Sequence, residues 1–530
     1  MTQFDFLSGR RPTAHATQAM IACSHSLASA AGLAILAEGG SAADAAICAN
    51  AVQCVVDPHM TGIGGDCFVL YAPKGGKVRA LNGSGRAPAG ASIEALRAAG
   101  VSELTQTSPH SITVPGAVSA WCKLHAEYGR LPLERVLAPA IRYGEEGFPV
   151  SARVAHDFAQ GQHTVQDEHT ARVLFPGGRA PVPGDVLRQP LLAARFREVA
   201  QHGAEGFYTG DTAARMVRHL RHLGGLHTEE DFHNALEDGA TWEDPIRATY
   251  RGREVLECGP NGQGLAALII LRILEGFDMG PGTALADRIH LQAEATKLAY
   301  HHRNALIGDP RFARDVTAEL LSDAAIDTMR ARIDPRRAST PVLWTEPEHK
   351  DTIYLCAVDA EGNAISFINS IFHAFGSTRM DPETGVLFHC RGLSFNLEEG
   401  HPNAIAPGKR PMHTIIPAMV MEGDRALMPF GVMGGHYQAA GHGQFLSHVL
   451  DRDLDLQTAM DQPRSFANNG LLEVERTVPS DALAVLAARG HRISTLPGPT
   501  GGSQAIRIDH GTGMLSGGSD SRKDGMAIGF

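Results

Sequence analysis

A layered sandwich of helices and largely antiparallel strands is the fold class this sequence predicts, on three observations. Helix-like and strand-like segments are mixed along the whole chain. Strand-like segments at 352–358 and 364–371 flank a turn, as a hairpin does. The chain has 530 residues, 43% of them apolar and 20% charged, which is globular composition sufficient for two ordinary domains or one large layered one.

Taken in order, residues 25–56 read as two helices split by Gly39-Gly40, with Ser41 as N-cap of the second. Residues 58–65 are turn-rich, and 67–71 read as a short strand. Residues 114–128 and 133–143 look helical, 264–274 is a strongly apolar helix, and 286–302 an amphipathic one. Pro335, Pro341 and Pro347 interrupt 331–350, which reads as a loop suited to a processing break. Thr352 to Val358 (T-I-Y-L-C-A-V) has strand composition, Asp359 to Asn363 is a hairpin turn, and 364–371 a second strand. Strands at 412–421 and 427–432 and a helix from about 438 to 450 complete the reading. No internal repeat or low-complexity segment is visible.

Charge and composition exclude several classes. The formal net charge is −11 and no basic run occurs, so neither nucleic acid nor an anionic membrane is expected as partner. The longest apolar stretch, 42–56, carries Asp44, Asn50 and Gln53 and is too short and polar to span a bilayer. The first residues lack a charged segment followed by an apolar one, and the eight cysteines form no CxxC pair. A reduced, cytoplasmic protein is expected. No GxGxxG, Walker, GxSxG or HExxH motif occurs, and the 26 histidines show no ligand spacing along the chain. No cofactor and no metal is expected.

A threonine opening a strand after a Pro-rich loop is a weak signal alone. The run Asp351-Thr352-Ile353-Tyr354-Leu355-Cys356-Ala357-Val358-Asp359 followed by Glu361-Gly362-Asn363-Ala364 resembles the start of the small subunit in the γ-glutamyltransferase family. Further matches stand in order: Gly39-Gly40-Ser41-Ala42-Ala43-Asp44, Thr61-Gly62-Ile63-Gly64-Gly65-Asp66, Gly85-Arg86-Ala87-Pro88, Val114-Pro115-Gly116, Phe375-Gly376-Ser377, Pro407-Gly408-Lys409-Arg410-Pro411 and Gly434-Gly435. Near the end, Asp520-Ser521-Arg522 departs from the family's D-P-R by one residue.

The resemblance implies an α+β fold: a four-layer αββα sandwich of the N-terminal-nucleophile hydrolase type, formed jointly by two self-cleaved chains, 1–351 and 352–530. It also implies a break between Asp351 and Thr352 that leaves Thr352 as nucleophile. The chemistry suits the residue. An alcohol needs an adjacent base, and a freed α-amine, with a pKa of roughly 7.7 to 8.0, is one. The resemblance further assigns Gly434 and Gly435 to the oxyanion hole, Arg86 to a substrate carboxylate, and Ser370 to contact with the nucleophile. The expected partners are a small-molecule amide and the two subunits of one precursor. A homodimer of the processed pair is left open.

Several positions depart from the γ-glutamyl pattern, the mildest being Ser370, a conservative replacement of a Thr. Ser394 stands where an Asp grips the substrate ammonium, and Arg391 replaces a nearby Gln. Phe372 replaces an Asn, and His413-Thr414 replaces paired serines. The site loses a negative charge and gains a positive one, which favours a small carboxylate-bearing amide. The block from Arg391 to Phe395 and on to Thr414 resembles the branch holding the oxamate amidohydrolase of purine-nitrogen breakdown. Two alternatives stay open: a γ-glutamyl hydrolase or transferase, and a catalytically silent binding or scaffold protein.

The junction generates the first prediction. Purified protein should run as two associated chains on a denaturing gel, with the smaller one beginning Thr-Ile-Tyr-Leu. Thr352→Ala should abolish both cleavage and turnover, and Thr352→Ser should retain part of each. An Ala variant that is still cut there would place the cleavage chemistry elsewhere.

Overall fold

The computed structural model describes residues 11–340 and 352–530. Asp351 and the rest of 341–351 lie outside the described residues.

Strand alternation organises the molecule. In Ile353–Val358, residues Ile353, Leu355 and Ala357 point to one cluster of buried apolar side chains, while Tyr354, Cys356 and Val358 point to another. This is the period-two pattern of a strand buried on both faces. The strand lies inside a seven-stranded sheet, ordered Ala527–Gly529, Met20–Cys23, Ile353–Val358, Ala364–Ser370, Asp66–Ala72, Arg79–Gly83 and Thr241–Glu243. A second seven-stranded sheet is ordered Ala14–Ala16, Leu515–Ser519, Gly502–Ile508, Arg425–Met433, Ala418–Glu422, Arg253–Glu257 and Ile246–Tyr250. Neighbours in both sheets pair antiparallel.

The two sheets face one another across a core that includes Phe68, Leu70, Tyr354, Cys356, Met419 and Ile506. Helices cover both outer faces. Ser26–Ala37, Ala42–Val56, Ala117–Tyr128 and Leu133–Glu146 pack on the first sheet. Gly264–Leu274, Leu285–Leu306 and Tyr437–Leu446 cover the second. The layers therefore run αββα, as the resemblance implied. Among the described residues no helix is long and apolar enough to cross a membrane. All eight cysteines are free thiols, and all but Cys122 are buried.

Most predicted elements lie where the sequence placed them. Ser41 caps Ala42–Val56 through a capping box with Asp44. The exception is 412–421, where strand begins only at Ala418. Residues 413–416 spend their backbone groups on side chains and loops. The His413 N–H donates to Asn261 O at 2.9 Å, and Thr414 O accepts from Gln263 Nε2 at 2.7 Å. The Ile416 N–H donates to Gln438 Oε1 at 3.0 Å. The predicted helix from 438 is α-helical only to Leu446 and ends in a wider π turn, Ser447–Asp451.

The hairpin after Ile353–Val358 is held by one carboxylate. Asp359 Oδ1 accepts from the N–H groups of Glu361 and Asn363, both at 3.0 Å. Its Oδ2 accepts from Ala42 N at 3.0 Å, tying the hairpin to the start of Ala42–Val56. Asp359→Ala leaves three backbone donors without this acceptor and should cost about 2–4 kcal/mol. Chemical denaturation would read this, and Asp359→Asn, which keeps one acceptor oxygen, should lose less.

Candidate active site

Thr352 stands at the edge of the ladder that fixes its neighbour. Ile353 pairs with Asn369, so Thr352 falls opposite Ser370. The two side-chain oxygens are 3.2 Å apart and buried. Gln438, near the N-terminus of Tyr437–Leu446, donates its Nε2 toward Thr352 Oγ1 at 3.5 Å, the long end of the hydrogen-bond range. The Ile416 N–H holds the other end of that amide, which orients the NH2 group at the threonine.

Gly434 and Gly435 form the turn between Arg425–Met433 and Tyr437–Leu446, with φ of 114° and 57°. Both values favour glycine. A Cβ on Gly434 would also sit 3.1 Å from Gly501 Cα. The turn is anchored from outside: Gln263 Nε2 donates to Gly435 O at 3.0 Å and to Thr414 O at 2.7 Å. Gln263 is itself held by Arg303, whose Nη1 donates to Gln263 Oε1 at 2.7 Å and approaches His436 Nδ1 at 3.0 Å.

Arg391 is fully buried, with its guanidinium 3.6 Å from the centroid of the Phe372 ring. Its Nη1 donates to Thr414 Oγ1 at 3.1 Å. The Phe372 N–H donates to Ser370 Oγ at 2.9 Å. A continuous path of contacts thus runs from Thr352 through Ser370, Phe372, Arg391, Thr414 and Gln263 to Gly435. Ser394 lies in the same short helical turn, Arg391–Ser394, and lines a cavity of ≈ 290 Å³ with Arg303, Leu393, Phe395 and Glu103.

His413 turns away from this path. Its Nε2 donates to Asp66 Oδ2 at 2.9 Å and its Nδ1 accepts from Ile415 N at 3.3 Å. Burial and then the Arg391 charge push its pKa down to about 3, so the ring is neutral at physiological pH. Arg86 has carboxylate partners of its own, Asp238 at 2.9 Å and Asp309 at 3.5 Å. Its Nη1 also donates to Gly408 O at 3.3 Å. A substrate carboxylate at Arg86 therefore competes with two protein carboxylates, which the flanking glycines and proline gave no means to foresee.

Residues 28–530 match the gamma-glutamyltranspeptidase family. The chain belongs to that family. It is 35% identical over 526 residues to the glutathione hydrolase-like YwrD proenzyme of Bacillus subtilis, covering 97% of this chain and 99% of that one. It is 34% identical over 531 residues to the oxamate amidohydrolase proenzyme of Klebsiella pneumoniae subsp. pneumoniae, at the same coverage. The crystal structure of cephalosporin acylase from Bacillus halodurans superposes with a TM-score of 0.92 and 38% identity, covering 100% of this chain and 99% of that one. Members of the gamma-glutamyltranspeptidase family are N-terminal-nucleophile enzymes acting on amides, and this chain is one of them. Its proenzyme relatives imply processing of one precursor into two subunits.

Reading the sequence missed Gln438, Gln263, Arg303 and Asp66. None carries a local motif of its own chemistry, although Asp66 ends the quoted Thr61–Asp66 run. Gln438 supplies the prediction here. Gln438→Ala removes the amide aimed at Thr352, a contact of about 0.5–1.5 kcal/mol. Self-cleavage and the kcat of mature enzyme should both slow by roughly twofold to tenfold, with KM little changed. Time-course gels and steady-state kinetics would show it, and unchanged rates in both would deny the contact a role.

Proposed function

We propose that this protein is a self-processing amidohydrolase that cleaves a small carboxylate-bearing amide through a threonyl acyl-enzyme, oxamate being the best candidate. The Thr352 hydroxyl attacks the Asp351 carbonyl, the peptide nitrogen leaves to become the α-amine of Thr352, and water opens the resulting ester. In the mature enzyme the α-amine takes the hydroxyl proton as Thr352 attacks the substrate amide. The N–H groups of Gly434 and Gly435 receive the oxyanion. The proton passes to the departing nitrogen, ammonia leaves, and water hydrolyses the acyl-enzyme to a dicarboxylate.

The observation that carries the choice of substrate is the buried Arg391 guanidinium stacked on Phe372 and bonded to Thr414, within one bonded step of Ser370. A planar fork suits a carboxylate, and Ser394 offers a hydroxyl where an ammonium group would want an anion. Arg86 takes a secondary part, since Asp238 and Asp309 share its charge. The 34% identity to an oxamate amidohydrolase proenzyme agrees with this reading.

One observation favours a second reading. Glu103 lines the cavity beside Ser394, and a γ-glutamyl ammonium reaching it would find a carboxylate. The 35% identity to a glutathione hydrolase-like proenzyme fits that alternative. Oxamate, succinamate and a γ-glutamyl anilide should be compared on processed enzyme. Oxamate should give the highest kcat/KM, and Arg391→Gln should lower it by roughly tenfold or more, the loss of a charge-assisted hydrogen bond of about 1.5–3 kcal/mol. Preference for the γ-glutamyl compound, lost in Glu103→Gln and unmoved in Arg391→Gln, would establish the second reading instead.

A further inference from the structure

Well outside the path from Thr352 to Gly435 lies a group of three side chains that the proposed chemistry does not use. His290 and Glu294 are four residues apart on Leu285–Leu306, so they share one face of the helix. His491, just after the turn at Gly490, comes from the other side of the Thr352 junction. One ligand atom from each of the three lies within 4.8 Å of the others. We propose that His290, Glu294 and His491 form a Zn2+ site that clamps the segment before Thr352 to the segment after it.

The donor set is two imidazoles and a carboxylate, which leaves a fourth tetrahedral position for water. The supporting contacts match what a metal ligand requires. His290 Nε2 donates to the carbonyl of Asp334 at 2.8 Å, which fixes the tautomer and turns the Nδ1 lone pair into the cluster. His290 Nδ1 and His491 Nε2 are 2.8 Å apart. In a tetrahedral site with Zn–N of about 2.0–2.1 Å the nitrogens sit about 3.3 Å apart, so the rings need part by only about half an ångström. His491 must also move its ring proton to Nδ1, which leaves it neutral. Burial lowers the pKa of both imidazoles, and the neutral ring is the ligating form. Glu294 Oε2 accepts from Ser339 N at 3.1 Å, so its carboxylate is aimed before any ion arrives. A small cavity of ≈ 50 Å³ bordered by Lys297, Ser339 and His491 gives access.

One neighbour opposes the ion. Lys297 Nζ lies 2.7 Å from Glu294 Oε1 and supplies the charge a metal would replace. Lys297 also reaches Ser339 O at 3.2 Å, a position it keeps if Glu294 turns to the ion. The role as a clamp between two chains rests on the proposed cleavage at Thr352, whereas ion binding does not.

The test uses untagged full-length protein stripped with a chelator, titrated with ZnCl2 by calorimetry and with Co2+ by visible absorption. Native protein should bind a single saturable equivalent, show the intense visible bands of tetrahedral Co2+, and gain melting temperature with Zn2+. Glu294→Gln and His491→Gln should lose the saturable site, the bands and the melting shift, and Lys297→Met should bind more tightly. The uncut Thr352→Ala chain should bind as native protein does, which separates failure of the site from failure of processing. No saturable binding in native protein, or unaltered binding in the Glu294 and His491 variants, would overturn the proposal.

Discussion

Strand Ile353–Val358 is hydrogen-bonded on both edges, to Ala364–Ser370 and to Met20–Cys23, and Thr352 is the residue immediately before it. That double ladder is the constraint on which the site depends. It fixes the strand into which Thr352 leads, whereas a side chain in the middle of a loop would wander. It also chooses the partner, because the register placing Ile353 against Asn369 sets the Thr352 hydroxyl against Ser370. A slip of one residue in this strand would turn the Thr352 side chain to the opposite face, away from Ser370. The Asp359 carboxylate that closes the hairpin protects this register from the far end of the strand, and its bond to Ala42 N extends the hold into the helical layer.

Beyond the ladder the chain leaves regular structure, and there the backbone is under strain. Phe372 is buried with φ of 81°, a conformation that costs a bulky residue of order 1–3 kcal/mol and that asparagine tolerates better. Three contacts hold it there. Its N–H is bound to Ser370 Oγ, its ring lies under Arg391, and it packs with Leu393 and Phe395. The left-handed backbone here is thus held for a residue with no polar side-chain group. The ring supplies a flat apolar floor that fixes a guanidinium and keeps water from one face of it.

The fold and the motif-bearing part of the candidate site were legible for different physical reasons than the rest of the site. Helices such as 42–56 and 264–274 announce themselves by local caps and apolar composition, and the hairpin after Thr352 by its Asp-x-x-Gly-Asn turn. Thr352, Ser370 and the glycine pair sit in short runs whose backbone demands leave few residue choices. Residues 412–417 misled because a buried apolar run looks the same whether its amides pair with a strand or with side chains. Here the partners, Gln263, Asn261 and Gln438, all lie outside the run, the first two in a distant part of the sequence. Gln438 and Gln263 were invisible for the same reason. A glutamine in a helix or at its start carries no signal until the fold brings an oriented carbonyl or amide to each end of it. Arg86 shows the converse: its local run predicts a fixed loop, but only the fold reveals Asp238 and Asp309 beside its guanidinium.

The buried charges around Arg391 explain why the departures from the γ-glutamyl pattern act together. Asp66 is the carboxylate nearest to His413, and it is fully engaged. Its Oδ1 accepts from Gly85 N at 2.9 Å and Gly116 N at 3.4 Å. Its Oδ2 faces His413 at 2.9 Å and His389 at 3.5 Å. Burial raises the Asp66 pKa, but His389 and then His413 outweigh it and hold the carboxyl below its ordinary range. A neutral His413 therefore stands between Asp66 and the Arg391 turn and passes on no negative charge. Paired serines at 413–414 would not make this link to Asp66, and a glutamine at 391 would put no cation behind it. With histidine, threonine and arginine together, a desolvated guanidinium lies against Phe372, whose N–H is bonded to Ser370. In a low-dielectric setting such a group favours an incoming anion over an incoming cation far more than it would in water.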